Sequence, residues 1–405
     1  MRQLSQEIEN NPGHSAEILT LDSPVAPWLQ SLPVAHHALG PTWGKYGFTP
    51  QLLPWLREHG ASYDAVIVNG IWQYHGNAVW RALRNTGTPY FVFPHGMLDP
   101  WFGRRYRSKH LKKWLYWLCA EYWILRDAAA VVFTTDEESQ LARQSFWLHR
   151  WHEHVVNFGT APPPDQPEMQ RESFYAKFPG LRGRPFLLFL GRLHEKKGCD
   201  LLLKAFAHVR QSCSEAGQVL PDLVLAGPCA DPIFLERLKT LANRLGFAAD
   251  DSSASTSPNP LDPGDILPGR LHFLPMLAGD AKWGAFRSAQ AFILPSHQEN
   301  FGMAVAEALA CGTPVLISDK VNIWREIKSD GAGLVEADTT EGCIKMITSW
   351  IRIPTDVREA MRERARFCFE SRFDIRIASK ALMEVLGDHR LPGGAEQAVP
   401  AEGTG

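Results

Sequence analysis

The chain is 405 residues long, and at roughly 150 residues per domain two or three domains are expected. Hydrophobic residues make up 45% and charged residues 21%, an ordinary globular composition. Lys and Arg total 42 against 44 Asp and Glu, so the net charge of -2 excludes broad nucleic-acid binding, which needs a basic excess.

Met1–His14 is polar and lacks the apolar stretch of a secretory leader. Short apolar runs then follow at Ala16–Asp22, Asp64–Gly70, Pro89–Pro94, Ala129–Thr135 and His154–Gly159. None alternates, and buried parallel strands read this way. Between Asp99 and Glu121 there is no acid, while Arg104, Arg105, Arg107, Lys109, Lys112 and Lys113 supply six cations. Trp114, Trp117 and Trp123 are interleaved with Leu111, Leu115 and Leu118. At helical spacing Leu111, Trp114, Leu115 and Leu118 share one face, which can pack on a sheet. The same stretch also reads as a basic, aromatic surface for anionic lipid. No run approaches about 18 uninterrupted apolar residues, so no segment reads as a membrane span.

Ala161–Glu168 carries four prolines and places a linker over 161–174, after a first domain of 1–160. A second domain, 175–370, repeats the apolar runs at Pro185–Gly191, Asp222–Gly227, Leu271–Met276, Ala291–Pro295 and Thr313–Ser318. Amphipathic helices are expected over Asp200–Gln211 and Gly302–Ala310, so strand and helix alternate as in a doubly wound α/β fold. Asp250–Gly269, rich in Ser, Pro and Asp, reads as a surface insertion. Residues 371–388 hold a last helix, Phe373–Gly387, and 389–405 read as a disordered tail. Seven cysteines, odd in number and without a C-x-x-C pair, fit reduced thiols in a cytoplasmic protein.

Two segments carry chemistry. In Gly191-Arg192-Leu193-His194-Glu195-Lys196-Lys197-Gly198 a strand gives way to a loop with two cations, Arg192 and Lys197. Cations at a strand's carboxyl end can stabilise a diphosphate, including one gaining charge as it leaves. In the segment from Ser296 to Pro314 a strand ends, a polar loop carries Glu299, and a helix starting near Gly302 carries Glu307. Backbone N–H groups at that helix start suit phosphate. The carboxylates can accept hydrogen bonds from sugar hydroxyls.

Together these segments resemble the retaining glycosyltransferases of the large "group 1" family. Glu299 and Glu307 match its Glu-x7-Glu motif; Gly191-Arg192 and Lys197-Gly198 match its Gly-Arg…Lys-Gly motif. The resemblance implies an α/β fold of the GT-B type, two Rossmann-like domains with a cleft between them. The first domain would bind acceptor and the second a nucleoside diphosphate sugar. It further implies that Arg192 and Lys197 bind the donor diphosphate and that Glu307 holds the ribose. Glu299, with the N–H groups of Gly302, Met303 and Ala304, would face the transferred sugar and phosphate, and Met276 and Leu277 would line the base. His95, ending the Pro89–Pro94 strand, is the candidate beside the sugar. Trp72 and Thr135 are the acceptor-side candidates, Thr135 alternatively capping its helix with Glu138. No Asp-x-Asp triplet occurs, so neither a catalytic metal nor a cofactor is expected.

One departure stands out. Family members open with a strand and a Gly-Gly loop, whereas Met1–Glu9 already reads as the end of the first helix. The implied activity is transfer of a hexose-type sugar to a glycan or lipid-linked acceptor, in surface polysaccharide assembly. A sugar-nucleotide epimerase, a sugar phosphorylase or a non-catalytic sugar-nucleotide-binding partner would also fit this fold. Of 14 tryptophans, 11 lie between Trp28 and Trp151, in the expected acceptor domain. Sugar stacking, lipid contact or core packing would each use them.

Overall fold

A computed structural model describes residues 1–100, 113–247, 250–251 and 269–389. Arg104, Arg105, Arg107, Lys109 and Lys112, most of the expected insertion, and the expected tail from Leu391 lie outside the described residues. The chain divides into two compact units. One holds Met1–Thr134, Glu138–Val156 and the chain from Ser379; the other holds Thr135–Glu137 and Asn157–Ala378.

The first unit opens with the helix Arg2–Glu9, whose Leu4 and Ile8 are buried. Strands β1 (Ile18–Thr20) and β2 (His36–Ala38) pair in parallel as a separate small sheet. The polar run of β2 gives no periodic signal, so only its pairing with β1 makes it a strand. Strands β3 (Val66–Asn69), β4 (Tyr90–Phe93), β5 (Ala130–Phe133) and β6 (Glu153–Val155) form a parallel sheet in chain order. Every residue of β4 and β5 is buried, the condition that continuous apolar runs imply.

The aromatic stretch after residue 112 corrects the expected face. Residues Trp117–Glu121 wind as a π-turn before the helix Tyr122–Asp127. A π-turn inserts one extra residue and rotates the phase of the helix. Trp117 and Ala120 therefore point into the core, while Leu115, Leu118 and Trp123 are exposed. Trp117 stacks on Phe146 at 4.2 Å between ring centroids, and its Nε1–H donates to the Leu148 carbonyl at 2.8 Å.

The second unit is a seven-stranded parallel sheet. Its strands are β7 (Phe186–Leu190), β8 (Asp222–Ala226), β9 (Asp250–Asp251), β10 (Leu271–Leu274), β11 (Ala291–Leu294), β12 (Val315–Ser318) and β13 (Gly333–Glu336). Their order is β13-β12-β11-β7-β8-β10-β9. The order reverses between β7 and β11, which are neighbours. Open α/β sheets bind ligands outside the carboxyl ends of strands at such a switch point.

The 161–174 segment is not extended throughout. Pro167 opens the helix Pro167–Lys177, since proline's missing N–H is unneeded at a helix start. Phe174 on that helix is fully buried in the second unit's core. The helices expected at Asp200–Gln211 and Phe373–Gly387 span Cys199–Glu215 and Ile375–Asp388.

Opposite the switch point, a buried ion network ties three elements. Arg184 donates to both oxygens of Asp222, at 2.6 and 2.8 Å. Asp222 also accepts from the Arg270 N–H at 2.8 Å and lies 3.0 Å from His272 Nε2. Burial alone would raise the Asp222 carboxyl, but Arg184 and His272 hold it down at about 2. Its stabilising share is thus present above the ordinary carboxylate range and is lost as pH falls toward 2. We expect Asp222→Ala to strand the buried Arg184 charge and cost roughly 3–5 kcal/mol in denaturant unfolding at neutral pH. A loss below 1 kcal/mol would show that the network is incidental.

Candidate functional site

The loop after β7 and the loop after β11 meet at the switch point. The Ser296 hydroxyl and the His297 N–H both donate to the Lys196 carbonyl, at 2.9 and 2.8 Å. Gly198 makes this approach possible. Its φ is +68°, and a Cβ there would lie 2.1 Å from the Pro295 carbonyl oxygen. Gly191, by contrast, faces open space.

This clamp brings Lys197 and Glu299 together as a half-buried ion pair through Lys197 Nζ and Glu299 Oε2. Glu299 is also held by its backbone. Its N–H donates to the Lys320 carbonyl at 2.9 Å, and its carbonyl accepts from the Asn322 N–H at 3.0 Å. Arg192 is exposed, with no ion pair among the described residues. It is the uncommitted cation at the end of β7.

The helix Met303–Ala310 follows. Its N-cap, Gly302, has φ +81° and offers no side chain to cap the helix. N–H groups at a helix start lack intrahelical partners, and here no side chain caps them, although the Val305 N–H donates to the Gly302 carbonyl at 2.8 Å. Gly302, Met303 and Ala304 therefore present N–H groups and the positive end of a helix dipole, though only eight residues long. A Cβ on Gly302 would press Val305 and Val321 at 3.2 Å, in a backbone conformation that side chains strain to adopt.

Glu307 lies on this helix, and its Oε1 accepts from Lys282 Nζ at 2.9 Å. Lys282 comes from a different helix, Gly279–Ser288, and no sequence signal marked it. Met276 is exposed, whereas Leu277 is buried in the core. His297 Nδ1 pairs with Asp338 at 2.8 Å, a contact that the motif also did not reveal. No group of three or more His, Cys, Asp or Glu is placed to hold a metal among the described residues.

The first unit carries its own constellation at the carboxyl ends of β3 and β4. Trp72 (φ 71°) and His95 (φ 50°) are the two non-glycine residues with positive φ among the described residues. Such strain persists only where the surroundings over-determine it, and it concentrates at functional sites. Asn69 Oδ1 accepts from His95 Nε2 at 3.0 Å, and the imidazole stacks on Phe93. The Trp72 N–H donates to Glu121 Oε2 at 3.2 Å, while its ring packs near Phe146 and Trp117. Lys113 Nζ lies 4.7 Å over the Trp72 ring. The indole face therefore already has a cation on it. Glu121 is fully buried, which pushes its carboxyl up to about 7. It is the acid that ends the basic stretch, the one sequence signal that could have drawn attention to it.

Thr135 is buried at the start of the helix Asp136–Ala142. Glu138 accepts from the Thr134 N–H and hydroxyl, each at 2.7 Å, and from the Gly96 N–H at 2.5 Å. The acid expected in a local cap thus also anchors the His95 loop.

Comparison with known proteins agrees with this architecture. Residues 1–159 match the model of a glycosyl transferase 4-like domain, and residues 266–367 that of glycosyl transferases group 1. D-inositol 3-phosphate glycosyltransferase of Jonesia denitrificans is 26% identical over 262 residues, 62% of this chain and 54% of that protein. The Rhodococcus opacus protein of the same name is 29% identical over 192 residues, 46% of this chain and 38% of that one. The chain thus spans about half or less of the length of these relatives. Among solved structures, Anabaena HepE in complex with UDP and glucose superposes with a TM-score of 0.69 at 16% identity, covering 95% of each chain. Sucrose-phosphate synthase from Thermosynechococcus elongatus gives 0.69 at 17% identity, covering 96% of this chain and 92% of its own. These likenesses establish the two-domain GT-B fold.

Burial lowers the His95 imidazole from its usual 6.5 to about 4. It is therefore neutral at pH 7, and its share of stability is full above about 6.5 and is lost as pH falls toward 4. An NMR titration of the imidazole should show a midpoint near 4. A midpoint above 6 would contradict the buried, neutral His95.

Proposed function

We propose, for a chain that belongs to the group 1 family of glycosyltransferases, a retaining transferase that uses a nucleoside diphosphate sugar. The acceptor is a glycan or a lipid-linked sugar of surface polysaccharide assembly, and the transferred group is of the hexose type. One observation carries the reading. At a single switch point the second unit gathers two cations, an uncapped helix start and two carboxylates, the complement of a sugar diphosphate.

Each group has a task under this reading. Arg192 and the N–H groups of Gly302, Met303 and Ala304 receive the diphosphate. Lys197 exchanges part of its pairing with Glu299 for phosphate oxygens, which releases Glu299 toward the sugar hydroxyls. As the bond from the anomeric carbon to the diphosphate breaks, negative charge grows on the leaving oxygens. Preorganised cations and N–H donors stabilise that charge more than the ground state. The acceptor hydroxyl then attacks the anomeric carbon from the same face, its proton passes to the leaving diphosphate oxygen, and configuration is retained. Neutral His95 lies on the acceptor unit and serves the reacting sugar as a hydrogen-bonding group. Charge stabilisation by side chains and backbone needs no metal or cofactor.

A lipid-linked acceptor would bring the chain to the cytoplasmic face of a membrane as a peripheral protein. Exposed Leu115, Leu118 and Trp123 support that placement, with the Arg126 guanidinium 4.4 Å over the Trp123 ring. Among the described residues no helix is long and apolar enough to cross a membrane. The six cations from Arg104 to Lys113 would add attraction to anionic lipid.

Two outcomes follow. Glu299→Ala should lower nucleoside diphosphate release in the presence of acceptor by roughly 100-fold or more, with nucleotide binding retained. Equal transfer would refute the site. Leu118→Glu combined with Trp123→Ala should reduce co-sedimentation with anionic vesicles; unchanged, salt-insensitive binding would refute the membrane surface.

A further inference from the structure

Lys282 belongs to no motif, yet it is fixed from two sides. Its Nζ donates to Glu307 Oε1 at 2.9 Å and lies 3.9 Å over the Trp283 ring. Side chains of Lys282 and Glu307 are about one-fifth exposed, at 21% and 17%. In a half-buried pair the cost of desolvation offsets much of the attraction, so stability alone gives weak reason for it. Its geometry is more informative. Glu307 Oε1 is occupied, while Glu307 Oε2 has no hydrogen bond within the described chain. The carboxylate is thus held by one oxygen and presents the other. Glu299 is held in the same way by Lys197, but Lys197 stands on the phosphate loop and must also serve phosphate. Lys282 stands on Gly279–Ser288, the helix that follows the Met276 loop, away from Arg192 and Lys197 in the chain.

We infer that Lys282 is a positioning residue for nucleotide recognition: it orients Glu307 so that the free oxygen accepts from a ribose hydroxyl. This rests on the donor reading above and adds a residue to it. The hydrogen bond from the cation limits the rotamers of Glu307, so less freedom is lost when the diol binds. The effect must therefore depend on the ribose hydroxyls and not on the phosphates.

The test compares two ligands on the full chain by calorimetry. UDP, ADP and GDP are titrated, and whichever binds most tightly is paired with its 2′,3′-dideoxy analogue. Lys282→Met should weaken the ribonucleotide about tenfold, or about 1.4 kcal/mol. Binding of the dideoxy analogue should change less than twofold. Lys282→Arg should restore ribonucleotide affinity to within about threefold, which a merely structural loss would not allow. Equal weakening of both ligands would overturn the assignment in favour of a phosphate or folding role, and so would no weakening of either. If the unsubstituted chain binds no nucleoside diphosphate, the donor reading falls and takes this inference with it.

Discussion

Everything at the candidate site of the second unit depends on a carbonyl group. The Lys196 oxygen accepts from both the Ser296 hydroxyl and the His297 N–H, and so joins two loops about a hundred residues apart. The sheet makes the meeting possible, because β7 and β11 are adjacent although β8 to β10 intervene in sequence. Gly198 makes it sterically tolerable. With that clamp in place, Lys197 reaches Glu299.

The second constraint is electrostatic. A site for a diphosphate must hold positive charge without a bound anion. Here two of the cations are partly satisfied by neighbouring acids. Lys197 pairs with Glu299, and Lys282 pairs with Glu307. Arg192 remains exposed. Under the proposed donor reading, ligand binding would redistribute existing pairs instead of creating new buried charge, which keeps the desolvation cost low. The first unit shows a different economy. It strains the backbone at Trp72 and His95, and supports the strain with the buried carboxyls of Glu121 and Glu138.

Much of the second unit was legible because its signals are local. Apolar runs such as Phe186–Leu190 and Val315–Ser318 state their burial directly, and the spacing of Gly-Arg…Lys-Gly and Glu-x7-Glu marks the candidate residues. The early tryptophans were less legible. A π-turn at Trp117–Glu121 rotates the helix, so Trp117 became core while Leu118 and Trp123 became surface. Periodicity assumes 3.6 residues per turn and fails where that number changes. Strand β2, His36–Ala38, had no apolar pattern, since its pairing rests on backbone hydrogen bonds with β1. Pro167 looked like a linker residue and proved to be a helix start.

The sequence by itself determined the α/β class, the family resemblance and the identities of Arg192, Lys197, Glu299 and Glu307. These follow from patterns of residues close together along the chain. Only the tertiary structure decided which groups partner them. Lys282 meets Glu307, Glu138 braces the His95 loop, and Glu121 holds the backbone of Trp72. Those contacts join residues 25 to 49 positions apart, through side-chain directions that no local pattern encodes. Spacing can specify a motif, but a contact between distant segments exists only once packing has brought them together.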